Sequence, residues 1–304
     1  MPLLGSHLSI AGGLPLAVDR AVANGCEALQ IFSKSSNQWR ARALGDEEVR
    51  EFRAKAERAA LGEVVAHASY LINLGTPDAA LRARSIDAFG EELDRAEALG
   101  LLGVVVHPGA YTTGTEAGGL RRVAGAVSRV LRARRRGRTL VILEHTAGQG
   151  TSLGWRFEHL ARLLDHLDGH PRVAVCLDTC HLWAAGYDFA SADGYRETFE
   201  SFDRLVGLGR LRVFHLNDSK KERGSRRDRH DHIGRGTIGL DAFGRIVNDP
   251  RFARLPMILE TPKTEARRPT SVEPDPLDQR NFAVLRGLMG SGRTEGRGEE
   301  GSTK

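Results

Sequence analysis

Only three cysteines, Cys26, Cys176 and Cys180, occur among the 304 residues. Their odd number and uneven spacing exclude a disulfide framework and point to reduced thiols. No uninterrupted apolar stretch approaches the roughly 18 residues that a membrane helix needs, so no membrane partner is expected. The opening MPLLGSHLSIAGG lacks a basic segment followed by a long apolar one, so no secretory signal and a cytoplasmic location are expected. No GxGxxG joins a strand to a helix, which leaves an open doubly wound sheet unsupported. No solenoid repeat is visible. The formal charge of +5 and pI near 9.4 point only weakly to an anionic partner.

What is present is an alternation. Short apolar, β-branched runs at 3–9, 28–32, 63–68, 102–108, 139–145, 172–178, 211–218 and 256–260 read as strands. Between them lie segments of helical spacing such as 46–62 and 78–100, the second closing at Gly100 as a C-cap would. Eight strand-then-helix units in one chain of this length predict an α/β fold, a (β/α)8 TIM barrel forming a single domain over residues 1–289. The Gly-rich, charged stretch 290–304 reads as a disordered tail.

The strand ends carry the chemistry. They are His7, the pair Ser33 and Lys34, His67, His107, Glu144, Asp178, His215 and Glu260. Every end but the second supplies an imidazole or a carboxylate, and a barrel gathers such ends at one mouth. His181, three residues past Asp178, and the DRH of residues 228–230 add further candidates from loops at the same mouth. Imidazole nitrogens mixed with carboxylate oxygens suit zinc or manganese, and their number suggests a cluster of two or three ions.

A lone strand-end histidine is more often a hydrogen-bonded structural residue, and a strand-end acid can cap the next helix, as Asp178 or Asp218 would. Neither explains acids and histidines on nearly every strand at once. Cys180 is better read as packing than as a ligand. His159, His166 and His170, in or just after the helix following the fifth strand, read as surface residues, while His145 and His232 stay open.

The stretches GSHLSIAGG, HASYLINLG, HPG, EHTAGQG, VCLDTCH, HLND, DRHDHIGRG and LET occur in the order seen in the endonuclease IV family, which the chain resembles from residue 1 to about 289. The resemblance implies three zinc ions, one replaceable by manganese. His67, His107 and Glu144 would hold the first, with Glu144 bridging to a second held by Asp178, His215 and Glu260. His181, Asp228 and His230 would hold the third, and His7 none. The implied activity is hydrolysis of the phosphodiester 5′ of an abasic site in double-stranded DNA, leaving a 3′-hydroxyl and a 5′-deoxyribose phosphate, by a monomer with Glu144 as the catalytic carboxylate.

The resemblance also implies a wedge of Tyr70 and Leu71 pushed into the duplex, and DNA contacts from Asn37, Gln38 and Trp39. Asn37 stands where the family can carry an arginine, His145 where it has an asparagine, and Arg235 where it often has a glutamate. Lys220, Lys221, Arg223, Arg226, Arg227 and Arg229 follow the seventh strand and are placed to meet phosphates. The denser run Arg132, Arg134, Arg135, Arg136 and Arg138 precedes the fifth strand and belongs to the opposite face. Two other readings share the outline. A sugar isomerase on a related barrel would need one or two ions, and a non-catalytic DNA-binding barrel would cut nothing.

Overall fold

Side chains two apart on a strand share a face. Ala28, Val65, Val105, Ile142, Ala174, Cys176, Val213 and Ile258 form one such set, and in the computed structural model they make a separate buried cluster. The neighbouring positions, including Leu4, Leu29, Ala66, Val104, Val141, Leu143, Val175, Leu177 and Phe214, pack into a second and larger core. A sheet buried on both faces, with one face turned on itself, is a closed barrel.

The structure describes residues 1–264, 268 and 270–290. The tail expected over 290–304 therefore lies, beyond Gly290, outside the described residues. The chain runs β1 (Leu3–Leu8), α1 (Leu14–Asn24), β2 (Ala28–Phe32), α2 (Asp46–Arg58), β3 (Glu63–His67), α3 (Ala79–Leu99) and β4 (Gly103–Val106). It continues through α4 (Glu116–Ala133), β5 (Leu140–Glu144), α5 (Phe157–His166), β6 (Val173–Asp178), α6 (Thr179–Ala185), α7 (Ala192–Leu205) and β7 (Leu211–His215). A hairpin of β8 (Asp218–Ser219) and β9 (His230–Asp231), then α8 (Leu240–Asn248), β10 (Pro256–Leu259) and α9 (Pro276–Leu288), complete it.

β1 to β7 and β10 close in the order β1-β10-β7-β6-β5-β4-β3-β2, and every pairing is parallel. This is the TIM barrel expected from the strand count. Closure uses β1, which pairs Leu3 with Pro256 on one side and Gly5 with Ala28 on the other. A Cβ at Gly5 would lie 2.3 Å from the Ala28 carbonyl oxygen, so the approach of β1 to β2 requires glycine there.

Helix boundaries follow local chemistry. Asp78 caps α3 by accepting from the Ala80 and Leu81 amides, and Gly100 ends it at φ 73°. The segment expected to be helical to residue 62 stops at Arg58, because Ala60 turns left-handed at φ 51°. The seventh strand, expected to reach Asp218, ends at His215. Asp218 serves a turn there, its carboxylate accepting from the amides of Ser219, Gly234 and Ile238. The run Arg132 to Arg138 spans the end of α4 and the approach to β5, at the barrel end away from the strand termini. No helix among the described residues is long and apolar enough to cross a membrane.

Candidate metal centre

The strand period that builds the inner core also delivers the ligating groups. Val65, Val105, Ile142, Cys176, Val213 and Ile258 line the interior, and two residues further on the same faces stand His67, His107, Glu144, Asp178, His215 and Glu260. Glu144 sits among them, fully buried. Its Oε2 lies 3.1 Å from His67 Nε2 and 3.2 Å from His107 Nε2, and its Oε1 lies 3.1 Å from His215 Nδ1. Glu260 Oε2 approaches the same His215 Nδ1 at 3.1 Å.

The remaining groups come from the loops. Asp228, just before β9, places Oδ2 3.1 Å from His181 Nε2 and Oδ1 3.1 Å from His230 Nε2. Asp178 reaches both regions, with Oδ2 3.9 Å from His215 Nδ1 and 3.6 Å from His230 Nε2. The readings of Asp178 as cap and as ligand are compatible. Its Oδ1 accepts from the His181 amide at the start of α6, leaving Oδ2 turned to the cluster.

Among the described residues, groupings with donor atoms close enough to share an ion include His67 with His107 and Glu144; Glu144 with Asp178, His215 and Glu260; Glu144 with Cys176 and His215; and Asp178 with His181 and His230. Asp228 joins the last region together with Cys180 and His230. The structure thus brings together every residue singled out as a ligand.

Hydrogen bonds determine which imidazole nitrogen faces inward. His67, His181 and His230 each direct Nδ1 at a backbone carbonyl, of Ala68, His145 and Glu260 respectively. A carbonyl only accepts, so Nδ1 carries the proton and Nε2 of the neutral ring is bare. His215 is held the other way, with Nε2 at 2.8 Å from Gln30 Oε1 and Nδ1 toward the carboxylates. Bare nitrogens therefore face anionic oxygens at about 3.1 Å, and only a proton or a cation reconciles two sets of lone pairs.

The electrostatics agree. Burial opposes the positive charge on His181, yet Asp178, Asp228 and Glu144 outweigh it and hold the ring well above its ordinary pKa. Burial opposes charge on Glu144 as well, and His215, His107 and His181 still pull it well below the usual carboxylate range. His230 rises to about 9 against burial through Asp178 and Asp228. The donor set is built for positive charge and fits divalent ions.

Two positioning residues escaped the sequence reading. Gln30 Nε2 donates to Glu260 Oε1 at 2.5 Å while its Oε1 holds His215. Asn217 Nδ2 donates to Asp178 Oδ2 at 2.6 Å, and its Oδ1 accepts from the Glu260 amide. Gln30 carried a signal, because it follows the inner-core Ala28 by two. Asn217 carried the same signal, standing two past His215 within the strand expected to reach residue 218.

Other expectations divide. His145 is buried, packs against Phe157 and Tyr187, and is pushed down to about 3 by burial. It stands outside the ligand groupings and serves through its carbonyl. His232 bonds Asn281 instead. His159, expected at the surface, is buried, its Nδ1 accepting from the Gly154 amide. Helical spacing turns it under the loop after β5. Cys176 and Cys180 are buried, and burial pushes both thiols up to about 12, as suits packing.

Around the mouth, Tyr70 is 69% exposed, its ring 6.2 Å from that of His67. Leu71 beside it is half-buried, Asn37 and Gln38 are exposed, and Trp39 lies under the Arg84 guanidinium at 4.3 Å. Of the basic loop, Arg223 is taken up by Asp188 and Arg226 stacks on Trp155. Lys220, Arg227 and Arg229 are exposed.

A family model described as a xylose isomerase-like TIM barrel matches residues 18–286. A protein of Chloroflexus aurantiacus named probable endonuclease 4 is 50% identical over 289 residues, covering 95% of this chain and 99% of that protein. The chain belongs to the endonuclease IV family. It is accordingly a nuclease, a hydrolase of a metal-dependent family. A probable endonuclease 4 of Geobacter sulfurreducens is 47% identical over 97% of each chain. The crystal structure of endonuclease IV from Thermus thermophilus superposes with a TM-score of 0.81 at 40% identity, covering 94% of this chain and 98% of that one. A D-psicose 3-epimerase, at 17% identity and a TM-score of 0.67, shares the fold alone.

Proposed function

We propose that this nuclease hydrolyses the phosphodiester 5′ of an abasic site in duplex DNA, leaving a 3′-hydroxyl and a 5′-deoxyribose phosphate. His67, His107 and Glu144 would hold one zinc, Glu144 with Asp178, His215 and Glu260 a second, and His181, Asp228 and His230 a third. Manganese would be the alternative ion at one of these positions. Bound ions would supply Lewis acidity toward the phosphate and acidify water near neutral pH. The observation that carries the reading is the convergence of bare imidazole nitrogens on Glu144 and Asp228 at about 3.1 Å.

The chain's own residues divide the remaining work. Glu144, with an oxygen toward each of two ligand groups, takes the proton of the attacking water at a carboxylate oxygen. Gln30 and Asn217 hold His215, Glu260 and Asp178 in register. Tyr70 and Leu71 enter the duplex where a base is missing, with Asn37, Gln38 and Trp39 beside them. A nucleotide without a base loses less stacking on leaving the helix, so pocket shape selects it. Arg229, Arg227 and Lys220 meet backbone phosphates. A monomer contains every one of these groups.

The deciding experiment is nicking of a synthetic duplex with one abasic site, before and after prolonged chelation, with metal counted on the purified protein. Nicking that vanishes with the metal and returns with zinc is expected. Turnover of a sugar by a protein that leaves the duplex whole would sink the proposal in favour of an isomerase.

A further inference from the structure

β2 is the exception among the barrel strands, followed by Ser33 and Lys34 where the others bring an imidazole or an acid to the mouth. Lys34 Nζ lies 3.1 Å from Glu92 Oε1 on α3, and the two side chains are only 3% and 1% exposed. The same Nζ donates to the Gln38 carbonyl at 2.6 Å. Glu92 in turn accepts the Ser69 amide on both oxygens at 3.2 Å, and Ser69 Oγ donates to the Ser36 carbonyl. Arg95, one turn along α3, donates to the Ser33 and Arg42 carbonyls. A single helix face thus ties down the loop after β2, which carries Asn37, Gln38 and Trp39, and the loop after β3, which carries Tyr70 and Leu71.

We propose that Lys34 and Glu92 are positioning residues whose buried ion pair locks these two loops into one rigid unit, and that this unit determines affinity and selectivity for the nucleotide lacking a base. The proposal rests on the functional reading above. Its physical basis is preorganisation. The Tyr70 ring is largely exposed and, among the rings of the described residues, meets only those of Phe32 and His67, so its backbone is placed by the neighbouring Ser69, whose amide is held by Glu92. Loops ordered before binding lose less entropy on the duplex. A buried ion pair is a poor source of stability and is better suited to holding one geometry.

The test uses the metal-loaded, full-length protein with Lys34→Met/Glu92→Leu, which leaves no buried charge unpaired. Glu92→Gln serves as a second variant should the double variant fail to fold. The double variant is expected to keep its metal content. Its KM for an abasic duplex should rise about tenfold while kcat changes less than about threefold. Its preference for abasic over intact duplex should shrink, and amides over residues 35–42 and 68–72 should exchange faster without DNA. Glu92→Gln should give a smaller change in the same direction. Unchanged KM with unchanged exchange, or loss of kcat together with metal, would overturn the proposal. Should the wild type leave an abasic duplex uncut, the functional reading falls, while amide exchange still decides whether the brace exists.

Discussion

Glu144 Oε1 and His215 Nδ1 stand 3.1 Å apart inside the barrel, and neither side chain reaches solvent. The other oxygen of Glu144 faces His67 and His107, so one carboxylate joins two ligand groups. Glu144→Gln keeps the shape but loses the charge. Nicking should fall by about 10²- to 10⁴-fold, the range of a lost general base, and at least one ion should be lost. Single-turnover kinetics with metal counting checks this, and an active variant with full metal would remove Glu144 from its role.

Metal removal should also cost stability, because the buried acids and imidazoles lose the cations that reconcile them. At free zinc about one hundredfold above Kd, one site contributes about 2.7 kcal/mol. Calorimetry should show a lower Tm for the chelated protein, restored by zinc. An unchanged Tm would mean that the groups do not bind ions tightly.

Tyr70→Ala with Leu71→Ala should raise Kd for the abasic duplex about tenfold, within the range of lost base–aromatic stacking. Metal content should stay at the wild-type value, because neither side chain belongs to a ligand grouping. Loss of zinc would show that the pair supports the centre instead.

Arg227→Ala with Arg229→Ala should lower the slope of log K against log salt by about 0.9 for each phosphate contact removed. The same change at Arg135 and Arg136, on the far side of the barrel, should leave the slope at the mouth unaltered. Titration of duplex binding at several salt concentrations separates the two faces.

His159 offers a pH test away from the ligands. Burial, aided by the Arg156 cation against Glu116, lowers its pKa below the ordinary 6.5. The unfolded chain then binds the proton more readily, so stability present above pH 6.5 is lost as pH falls below it. Denaturant unfolding between pH 7 and 5 should show a steeper loss for the wild type than for His159→Gln. Parallel curves would refute the assignment.

Much of the architecture was legible in residues because the barrel reuses one rule. Period-two alternation marks Ile142 and Glu144, or Val213 and His215, as sharing a face whatever they touch. The turn at Asp218 and the burial of His159 were not legible, since each depends on partners distant in sequence. Asp218 meets Gly234 and Ile238, and His159 meets Gly154 beneath a loop. The role of Lys34 was hidden for the same reason, its partner Glu92 lying on a helix 58 residues further on.

Sequence alone determined the repeated strand-helix order, the ligand types at the strand ends and the family to which they point, because periodicity and residue chemistry are local properties. Only the tertiary structure decided which nitrogen of each histidine faces inward, how Asp178 divides its oxygens between helix and cluster, and that α3 ties two loops together. Those depend on distances across the closed barrel, and closure brings side chains into contact with no trace in their spacing along the chain.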